Sequence, residues 1–537
     1  MSVAGPDLKP TVAKNVTGGL LEGIQSFLER LYREVLSILK EHRTTGCISR
    51  RSFLFLLAAG IGIVPHVATE LADKKKLLEF LDRARSKIET AIPKVPPELI
   101  ANPTNPHKIS NLTEFKIVSD SNSMMEAAIF QVGDEMGAIM AGRLAEVLRD
   151  DVKLIVVTNS ELSASLTLGG LRRKNIKNLE QRLRFIIMKG GFSSSWARDP
   201  YIVLVNQKTK QYSVVPIKGD AGTGLDRSVG MQIMNTDAWD AIVDNNFSDK
   251  TLDMQGGDVT ADGSYVYVGK QTVHYSCYNI ASQKVLTEEE AIRKIEAVTG
   301  RQVIVLDCPD IHNDRYHVPI GKTKYGEHTS LLADPIKALE IIAALTPEEK
   351  EIVIENIASS SFINITREQL RGFLDVTPEE IEKAKQSEYV QELERVRESL
   401  EAEGITVRRV PALPIDFADN PFGLYYTNVV MDCYPDTGNG KIKRSIIIPQ
   451  YEIPQLDQFV AQIYRDLGFE QIFPIESIVA GCLKGGPRCL LQAMGRPIEK
   501  NSLSRTILSH ILHGVLSLTE RLGSMQVNKL EGVEQAI

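Results

Sequence analysis

The chain lacks a cysteine framework, an excess of basic charge and an apolar run long enough to cross a bilayer, and each absence excludes a class of protein. Six cysteines among 537 residues are too few for a disulfide scaffold, and no pair has the C-x-x-C spacing of a structural zinc site. A net charge of −7 and a pI near 5.9 argue against a general nucleic-acid binder. With 43% hydrophobic and 24% charged residues, the chain is typical of a globular protein with a large core.

The N-terminal segment combines an amphipathic pattern with a pair of arginines. Apolar residues at helical spacing over 20–40 predict a helix that packs one face. Arg50 and Arg51 then precede an apolar run over 53–64, which resembles a twin-arginine export signal, although such signals normally lie near the start of a chain. The run is too short to span a membrane. A buried helix with two flanking arginines explains the pattern equally well, so export to the periplasm or medium and a cytoplasmic location both stay open.

Prolines concentrated between Pro93 and Pro106 predict a linker, because proline removes a backbone donor and disfavours helix. We therefore expect a helical N-terminal region over residues 1–105, which would carry the export signal at 48–68. A main domain is expected over 106–525, followed by a flexible tail over 526–537. A homo-oligomer is compatible with this organisation.

Helical and strand patterns alternate along the main domain. Helices are predicted over 125–150, 288–299, 336–345, 378–402, 455–467 and 503–522, and strands over 152–158, 184–188, 201–205, 264–268, 303–306, 445–449 and 475–479. Because the two kinds of element interleave, the fold class is α/β or α+β within one large domain.

Four polar motifs interrupt these elements. They are W-A-R-D at 196–199, Q-G-G-D at 255–258, H-N-D at 312–314 and G-G-P-R-C at 485–489. Each has an ordinary structural explanation: a turn closed by an arginine–aspartate pair, a glycine turn before a strand, a structural histidine, and a small buried cysteine.

The same residues also suggest a site. If 312–314 is extended, His312 and Asp314 share one face. Asp199 can bind a cation beside Trp196 as an apolar wall, and a cysteine after two glycines is expected to be accessible. His312, Asp314, His317 and His328 offer metal ligands, but their spacing fits no metal pattern, so no metal is expected.

Taken in this order, the motifs resemble those of the guanidine-modifying pentein superfamily, which includes arginine, agmatine and peptidylarginine deiminases and the amidinotransferases. The segments at 426–428 and 447–451 are similar to the agmatine-deiminase branch. The resemblance implies an α+β (α/β propeller) fold of five ββαβ units around a closed channel, preceded here by the N-terminal helical extension.

The resemblance also implies the chemistry and its residues. Asp199 and Asp314 would hold a planar guanidinium, Cys489 would attack its carbon as a thiolate, and His312 would serve as general acid and base. Further substrate contacts would come from six side chains: Trp196, Arg198, Gln255, Asp258, Asn428 and Arg488. No metal or organic cofactor is implied. The partner would be a small guanidino compound or an arginine side chain of a protein, with no nucleic acid and no stable membrane span.

One position departs from the family pattern. The small-molecule deiminases carry glutamate where this chain has Gln255, and an amide supplies no second negative charge near the histidine. The resemblance therefore leaves three functions open: a deiminase, an amidinotransferase with an amine acceptor in place of water, and a non-catalytic binding module.

Overall fold

The computed structural model describes residues 94–104, 113–188, 194–216, 227–243, 254–279, 284–309, 312–323, 326–358, 365–415, 417, 420–436 and 440–498. The predicted helix at 20–40, the paired-arginine segment at 48–68, the helix at 503–522 and the tail at 526–537 all lie outside these residues. So does the predicted domain boundary at 105–106.

The chain divides into two compact units. One comprises Met1–Pro96 and Glu161–Gly169, of which 94–96 and 161–169 are described, and the other comprises Pro97–Ser160 and Gly170–Ile537. All of the sheets and all four motifs belong to the second unit. In the part of the chain that the structure describes, no helix is both long and apolar enough to cross a membrane.

The described helices number fourteen and are mostly short. They are α1 (Glu135–Val147), α2 (Glu161–Arg172), α3 (Leu179–Arg182), α4 (Arg227–Met234), α5 (Lys270–Cys277), α6 (Glu288–Thr299), α7 (Pro335–Ala343), α8 (Pro347–Ala358), α9 (Arg367–Leu374), α10 (Pro378–Lys385), α11 (Glu388–Ala402), α12 (Pro454–Asp466), α13 (Ile478–Cys482) and α14 (Pro487–Leu490).

Eighteen strands accompany them in the described residues. They are β1 (Phe115–Ile117), β2 (Ser123–Val132), β3 (Lys153–Thr158), β4 (Leu183–Ile187), β5 (Tyr201–Asn206), β6 (Gln211–Pro216), β7 (Val259–Ala261), β8 (Tyr265–Gly269), β9 (Tyr278–Asn279), β10 (Lys284–Val285), β11 (Gln302–Leu306), β12 (His317–Lys322), β13 (His328–Asp334), β14 (Thr406–Pro411), β15 (Val430–Pro435), β16 (Ile442–Gln450), β17 (Gln471–Glu476) and β18 (Leu491–Pro497). The mixed α and β content agrees with the predicted fold class.

Small sheets with a recurring order organise these strands. Besides the β9–β10 pair, the described strands form sheets β1-β5-β6, β7-β8-β11, β12-β13-β14, β15-β16-β17 and β18-β2-β3-β4. In four of them a central strand has an antiparallel neighbour on one side and a parallel neighbour on the other. Helices connect each parallel pair, as parallel pairing requires. The last strand, β18, pairs with the early strand β2.

Local sequence explains the elements that were predicted well. Helix α6 begins at Thr287 with a capping box to Glu290 and has an acidic first turn, and it ends at Gly300 in the left-handed conformation. Apolar side chains of α7, α8 and α9 pack with β12, β13 and β16 in one core cluster. Burial of these faces, more than helix propensity, holds such short helices in place.

Three predicted elements were wrong. The helix predicted at 125–150 begins with strand β2, whose residues are buried along nearly its whole length, and only α1 is helical. Its methionine- and alanine-rich sequence has helix propensity, but pairing on both sides overrides it. The helix at 378–402 is divided because Ser387 caps the start of α11. The strand at 475–479 ends at Glu476, and helix α13 follows.

Candidate active site

Each of the four motifs lies directly before a strand. The W-A-R-D segment precedes β5, a single turn over Gly256–Asp258 precedes β7, a turn over Asn313–Arg315 precedes β12, and α14 precedes β18. These strands belong to four different sheets. Convergence of the motifs therefore depends on how the sheets pack and not on any local pattern.

One asparagine fixes the cysteine. The Asn428 Oδ1 atom accepts hydrogen bonds from the backbone N–H groups of Arg488 (3.0 Å) and Cys489 (3.2 Å), and its Nδ2 donates to the Cys489 sulfur at 3.1 Å. Cys489 is 1% exposed. The prediction of an accessible thiol was wrong, because the loop that delivers the cysteine folds into α14 and is covered.

His312 and Asp314 converge on this thiol, but not in the predicted extended conformation. The segment Asn313–Arg315 is a 3-10 turn, with His312 immediately before it. Nevertheless, ligand atoms of His312, Asp314 and Cys489 all lie within 4.8 Å of one another, and the Cys489 Sγ is 3.5 Å from Asp314 Oδ2. The tight turn brings two side chains to one point as effectively as an extended face would.

The first residue of that turn, Asn313, is held by several hydrogen bonds. The Asn313 Nδ2 group donates to the backbone carbonyls of Asp258 (2.8 Å) and Tyr267 (3.1 Å), and its N–H donates to Asp258 Oδ1. The Asp258 carboxylate also accepts from the Thr272 hydroxyl. Asp258 thus anchors the turn that carries His312 and Asp314, and its predicted contact with substrate stays a prediction.

Gly257 lets His312 and Asp199 approach each other. A Cβ atom at this glycine would lie 2.7 Å from His312 Nδ1 and 2.8 Å from Asp199 Oδ1, so no larger residue fits. On its other side, the His312 ring places Nε2 3.0 Å from Gln255 Oε1. Gly257 therefore permits close packing around the imidazole, whereas Gly256 packs against the backbone of Arg198 and Tyr201.

Three buried polar atoms near this centre have no hydrogen-bond partner in the described part of the chain. Within the described residues, His312 Nδ1, Asp199 Oδ1 and Asp314 Oδ1 are buried and have no hydrogen-bond partner. Unsatisfied buried polar atoms are costly and few in native proteins. Three of them beside one thiol indicate a place prepared for a cationic or hydrogen-bond-donating group.

Sequence analysis missed Asp120, which organises the wall behind the cysteine. The Arg488 guanidinium donates to both carboxylate oxygens of Asp120 (3.2 and 3.3 Å) and to Asp314 Oδ2 (2.6 Å). Arg198 is 3.4 Å from the same Asp120 carboxylate and donates to the carbonyls of Gly256 and Val259. The only hint in the sequence is a polar run, S-D-S-N-S at 119–123, between two apolar strands.

Charge and burial shift the pKa values of these groups. Although burial raises it, the pKa of Asp120 is lowered by Arg198 and Arg488. Burial, assisted by Arg488, lowers the pKa of Arg198 to about 10. Burial opposes the charge of Arg488 as well, yet Asp120 and Asp314 raise its pKa. Arg488 and Arg198 are therefore structural cations here, and their predicted contact with substrate stays a prediction.

The pKa values of the Cys489 thiol and the Asp199 carboxyl are both shifted in the direction that favours the neutral form. Burial, reinforced by Asp314 and Asp199, raises the pKa of the Cys489 thiol well above its ordinary value. Burial also raises the pKa of Asp199, against the opposing effect of His312. Without a bound cation, negative charge at this centre is thus disfavoured.

The other histidines considered as metal ligands lie elsewhere. His317 is fully buried, its Nε2 is 3.0 Å from the Ser330 hydroxyl, and burial lowers its pKa to about 3. His328 pairs with Asp262. Trp196 packs against Gly485, next to the cysteine loop, where its predicted part as an apolar wall stays a prediction.

Comparison with known proteins gives distant structural neighbours alone. No family model matches the chain, and no curated protein does. An agmatine deiminase of C. jejuni has 14% identity and a TM-score of 0.46 over 72% of this chain and 97% of its own. An agmatine deiminase of Enterococcus faecalis has 12% identity and a TM-score of 0.43 over 73% and 100%. The inosamine-phosphate amidinotransferase of Streptomyces griseus has 8% identity and a TM-score of 0.32 over 71% and 98%.

Likenesses this weak carry no argument about substrate or mechanism. These three solved structures are two agmatine deiminases and an amidinotransferase, which are guanidine-modifying enzymes. They belong to the superfamily whose motifs the sequence resembles.

Proposed function

We propose that the chain is a deiminase that hydrolyses a guanidinium C–N bond to a ureido product and ammonia. One observation carries the proposal: within the described residues, Asp199 Oδ1 and Asp314 Oδ1 are buried acceptors without donors. Asp314 lies beside the Cys489 thiol and the His312 ring, and Asp199 lies with that ring against Gly257. A guanidinium is a planar cation whose N–H groups fit two carboxylates. A bound cation would also offset the two carboxylate charges that hold the thiol neutral.

The proposed reaction has two halves. The Cys489 thiolate forms a bond to the guanidinium carbon, and the C–N bond then breaks as His312 gives a proton to the leaving nitrogen, which departs as ammonia. His312 next removes a proton from a water molecule whose oxygen attacks the same carbon. The C–S bond breaks, which releases the ureido product and regenerates the thiolate. Asp199 and Asp314 hold the substrate in line throughout.

The proposed architecture is a ring of five ββαβ units, as the resemblance implies. Four of the described sheets have the antiparallel-then-parallel order of such a unit, and the pairing of β18 with β2 joins the last described strand to an early one. The sheet β1-β5-β6 departs from the order because both of its pairings are antiparallel.

Two alternatives stay open. An amidinotransferase would use the same cysteine intermediate with an amine in place of water, and no group among the described residues of the site distinguishes the two acceptors. A non-catalytic binding module is favoured by the Arg488 guanidinium, which already occupies Asp314 Oδ2 at 2.6 Å. Gln255, which cannot hold a charge near His312, favours it too.

The deciding experiment supplies agmatine, free arginine and an arginine-containing peptide side by side to the purified chain. Ammonia together with a ureido product supports the deiminase. Transfer of the amidino group to an added amine, without ammonia, supports the amidinotransferase. Saturable binding without turnover of any of the three supports the binding module.

Replacing His312 by alanine is expected to lower kcat by about a hundred-fold or more, because the site loses the imidazole that is proposed to give and take the proton. His317→Ala should affect kcat far less, since His317 contacts Ser330 and not the thiol. Both variants are compared by kcat at equal fractions folded. A larger kcat loss in His317→Ala would mean that the acid–base residue is misassigned.

The rate of Cys489 alkylation is expected to increase with pH through the neutral and alkaline range. Burial and two carboxylates raise the pKa of Cys489, so the reactive thiolate fraction grows as pH rises. The raised pKa of Asp199 adds a loss of substrate affinity on acidification. The measurements are the rate of Cys489 alkylation by iodoacetamide and the substrate affinity, each as a function of pH. An alkylation rate that does not increase between neutral and alkaline pH contradicts the raised pKa of the thiol.

A further inference from the structure

We propose that a cavity between strands β2, β15 and β18 binds one small monovalent anion of about the size of chloride. The cavity measures ≈ 20 Å³. A buried water molecule needs about 10–15 Å³, so the cavity admits one small occupant and no organic substrate. The apolar part of its wall comes mainly from the three strands. The polar part comes from Ser119, Asp120, Ser123, Arg198 and Arg488.

One unused donor at the cavity belongs to Ser123, the first residue of β2. Ser123 is 6% exposed, and its hydroxyl oxygen has no hydrogen-bond partner in the described part of the chain. A buried hydroxyl without a partner is costly and uncommon in native proteins. The cavity that Ser123 lines is the space in which a partner can lie, so we expect an occupant that accepts the hydroxyl proton.

A second unused donor belongs to Arg198, which is 5% exposed and lines the same cavity. Arg198 Nε donates to the Gly256 carbonyl and Nη2 to the Val259 carbonyl, and Nη2 is also 3.4 Å from Asp120 Oδ1. Within the described ranges, Nη1 makes no hydrogen bond. Hydrogen bonds from a charged donor to an anion are among the strong ones. The Arg198 Nη1 group and the Ser123 hydroxyl can therefore bind one anion together.

Positive charge exceeds negative charge on the cavity wall. Asp120 is the one carboxylate among the lining residues, and its oxygens lie 3.4 Å from Arg198 and 3.2 Å from Arg488. Asp314 also binds Arg488, but Asp314 does not line the cavity. Burial, assisted by Arg488, lowers the pKa of Arg198 to about 10, and an anion in the cavity would oppose this shift. The charges thus favour an anion over a cation.

The anion site does not rest on the proposed function. The cysteine, the histidine and the two aspartates assigned to the reaction are not among the residues that line the cavity. Binding and turnover therefore have separate readouts. Guanidine turnover without anion binding overturns the anion site alone, and anion binding without turnover contradicts the deiminase alone.

The test compares chloride and bromide with gluconate, whose anion is too large for the cavity, at constant ionic strength. The Tm of the full-length chain should rise saturably with either halide, because a ligand that binds only the folded state stabilises it. A crystal soaked in bromide should show an anomalous peak that contacts Ser123 Oγ and Arg198 Nη1. The proposal requires both results. Equal Tm values in halide and gluconate mean a buried water or binding at crystal concentration only, and they overturn it. A cavity without the bromide peak overturns it too.

Matched variants locate the ion. Ser123→Ala removes a hydroxyl that has no protein partner in the described residues, so the fold should persist while chloride affinity falls about ten-fold or more. Ser123→Val, which also fills the cavity, should abolish the halide effect. Ser121→Ala is the control, because Ser121 is a buried serine two positions away that does not line the cavity. Circular dichroism checks folding, and Ser123→Ala carries the test if valine is not accommodated. Full affinity in Ser123→Ala, or lost affinity in Ser121→Ala, overturns the site.

Discussion

Cys489→Ser is expected to lower turnover by about 10⁴-fold or more while the protein stays folded. A serine hydroxyl is a far weaker nucleophile than a thiolate towards a guanidinium carbon. Removing the nucleophile from a set of catalytic residues lowers turnover by a factor of this order. Serine keeps the size of the side chain and the hydrogen bond from Asn428 Nδ2, so the fold has no reason to change. The measurement is ureido-product formation under saturating substrate, with circular dichroism as a check of folding.

Cys482→Ser is the matched control for this prediction. Cys482 lies seven positions earlier in α13, and burial raises the pKa of its thiol to about 11. It contacts neither Asn428 nor Asp314 through any hydrogen bond in the described residues, so its replacement should leave turnover near normal. A haloacetamidine should label Cys489 and spare Cys482. Near-normal turnover in Cys489→Ser, or labelling of Cys482, would remove Cys489 from the mechanism.

Asp120→Asn is expected to destabilise the protein by about 3–5 kcal/mol, the cost of removing one partner from a buried ion pair. Asp120 neutralises two buried guanidinium groups, those of Arg198 and Arg488, with 5% and 3% of those residues exposed. An amide of the same shape removes the Asp120 charge from beside Arg198 and leaves Arg488 paired with Asp314 alone. The free energy of unfolding from denaturant titration measures the effect.

Asp151→Asn supplies the control, and the pH dependence of the free energy of unfolding supplies a second measurement. Asp151 also pairs with an arginine, Arg149, but its side chain is 71% exposed, so its replacement should cost about 1 kcal/mol or less. The folded-state pKa of Asp120 is lowered by Arg198 and Arg488. Its contribution is therefore complete above the unfolded-state pKa and is lost as pH falls through the folded-state pKa. The difference between wild type and Asp120→Asn should shrink in acid. Equal stabilities at neutral pH would show that Asp120 is not the counterion.

The sequence by itself determined those features that depend on neighbouring residues. Helix α6 was predicted with its observed bounds, because its capping threonine, acidic first turn and terminal glycine all lie within the helix or beside it. The four motifs were likewise visible as short patterns, and their residue types already pointed to a thiol, an imidazole and two carboxylates. Strand β2 was missed for the converse reason, since its sequence favours a helix and only pairing with β18 and β3 makes it a strand.

Tertiary structure alone decided how the motif residues meet. Asp120 and Arg488 are 368 positions apart, and no local pattern encodes an ion pair across that distance. Burial of Cys489 and the 3-10 turn at 313–315 also arise from packing, where Asn428 and Asp258 supply hydrogen bonds from distant segments of the chain. The residue type determines the chemistry of a side chain. The protonation of that side chain also depends on neighbouring charges, and the fold decides which distant residues become its neighbours.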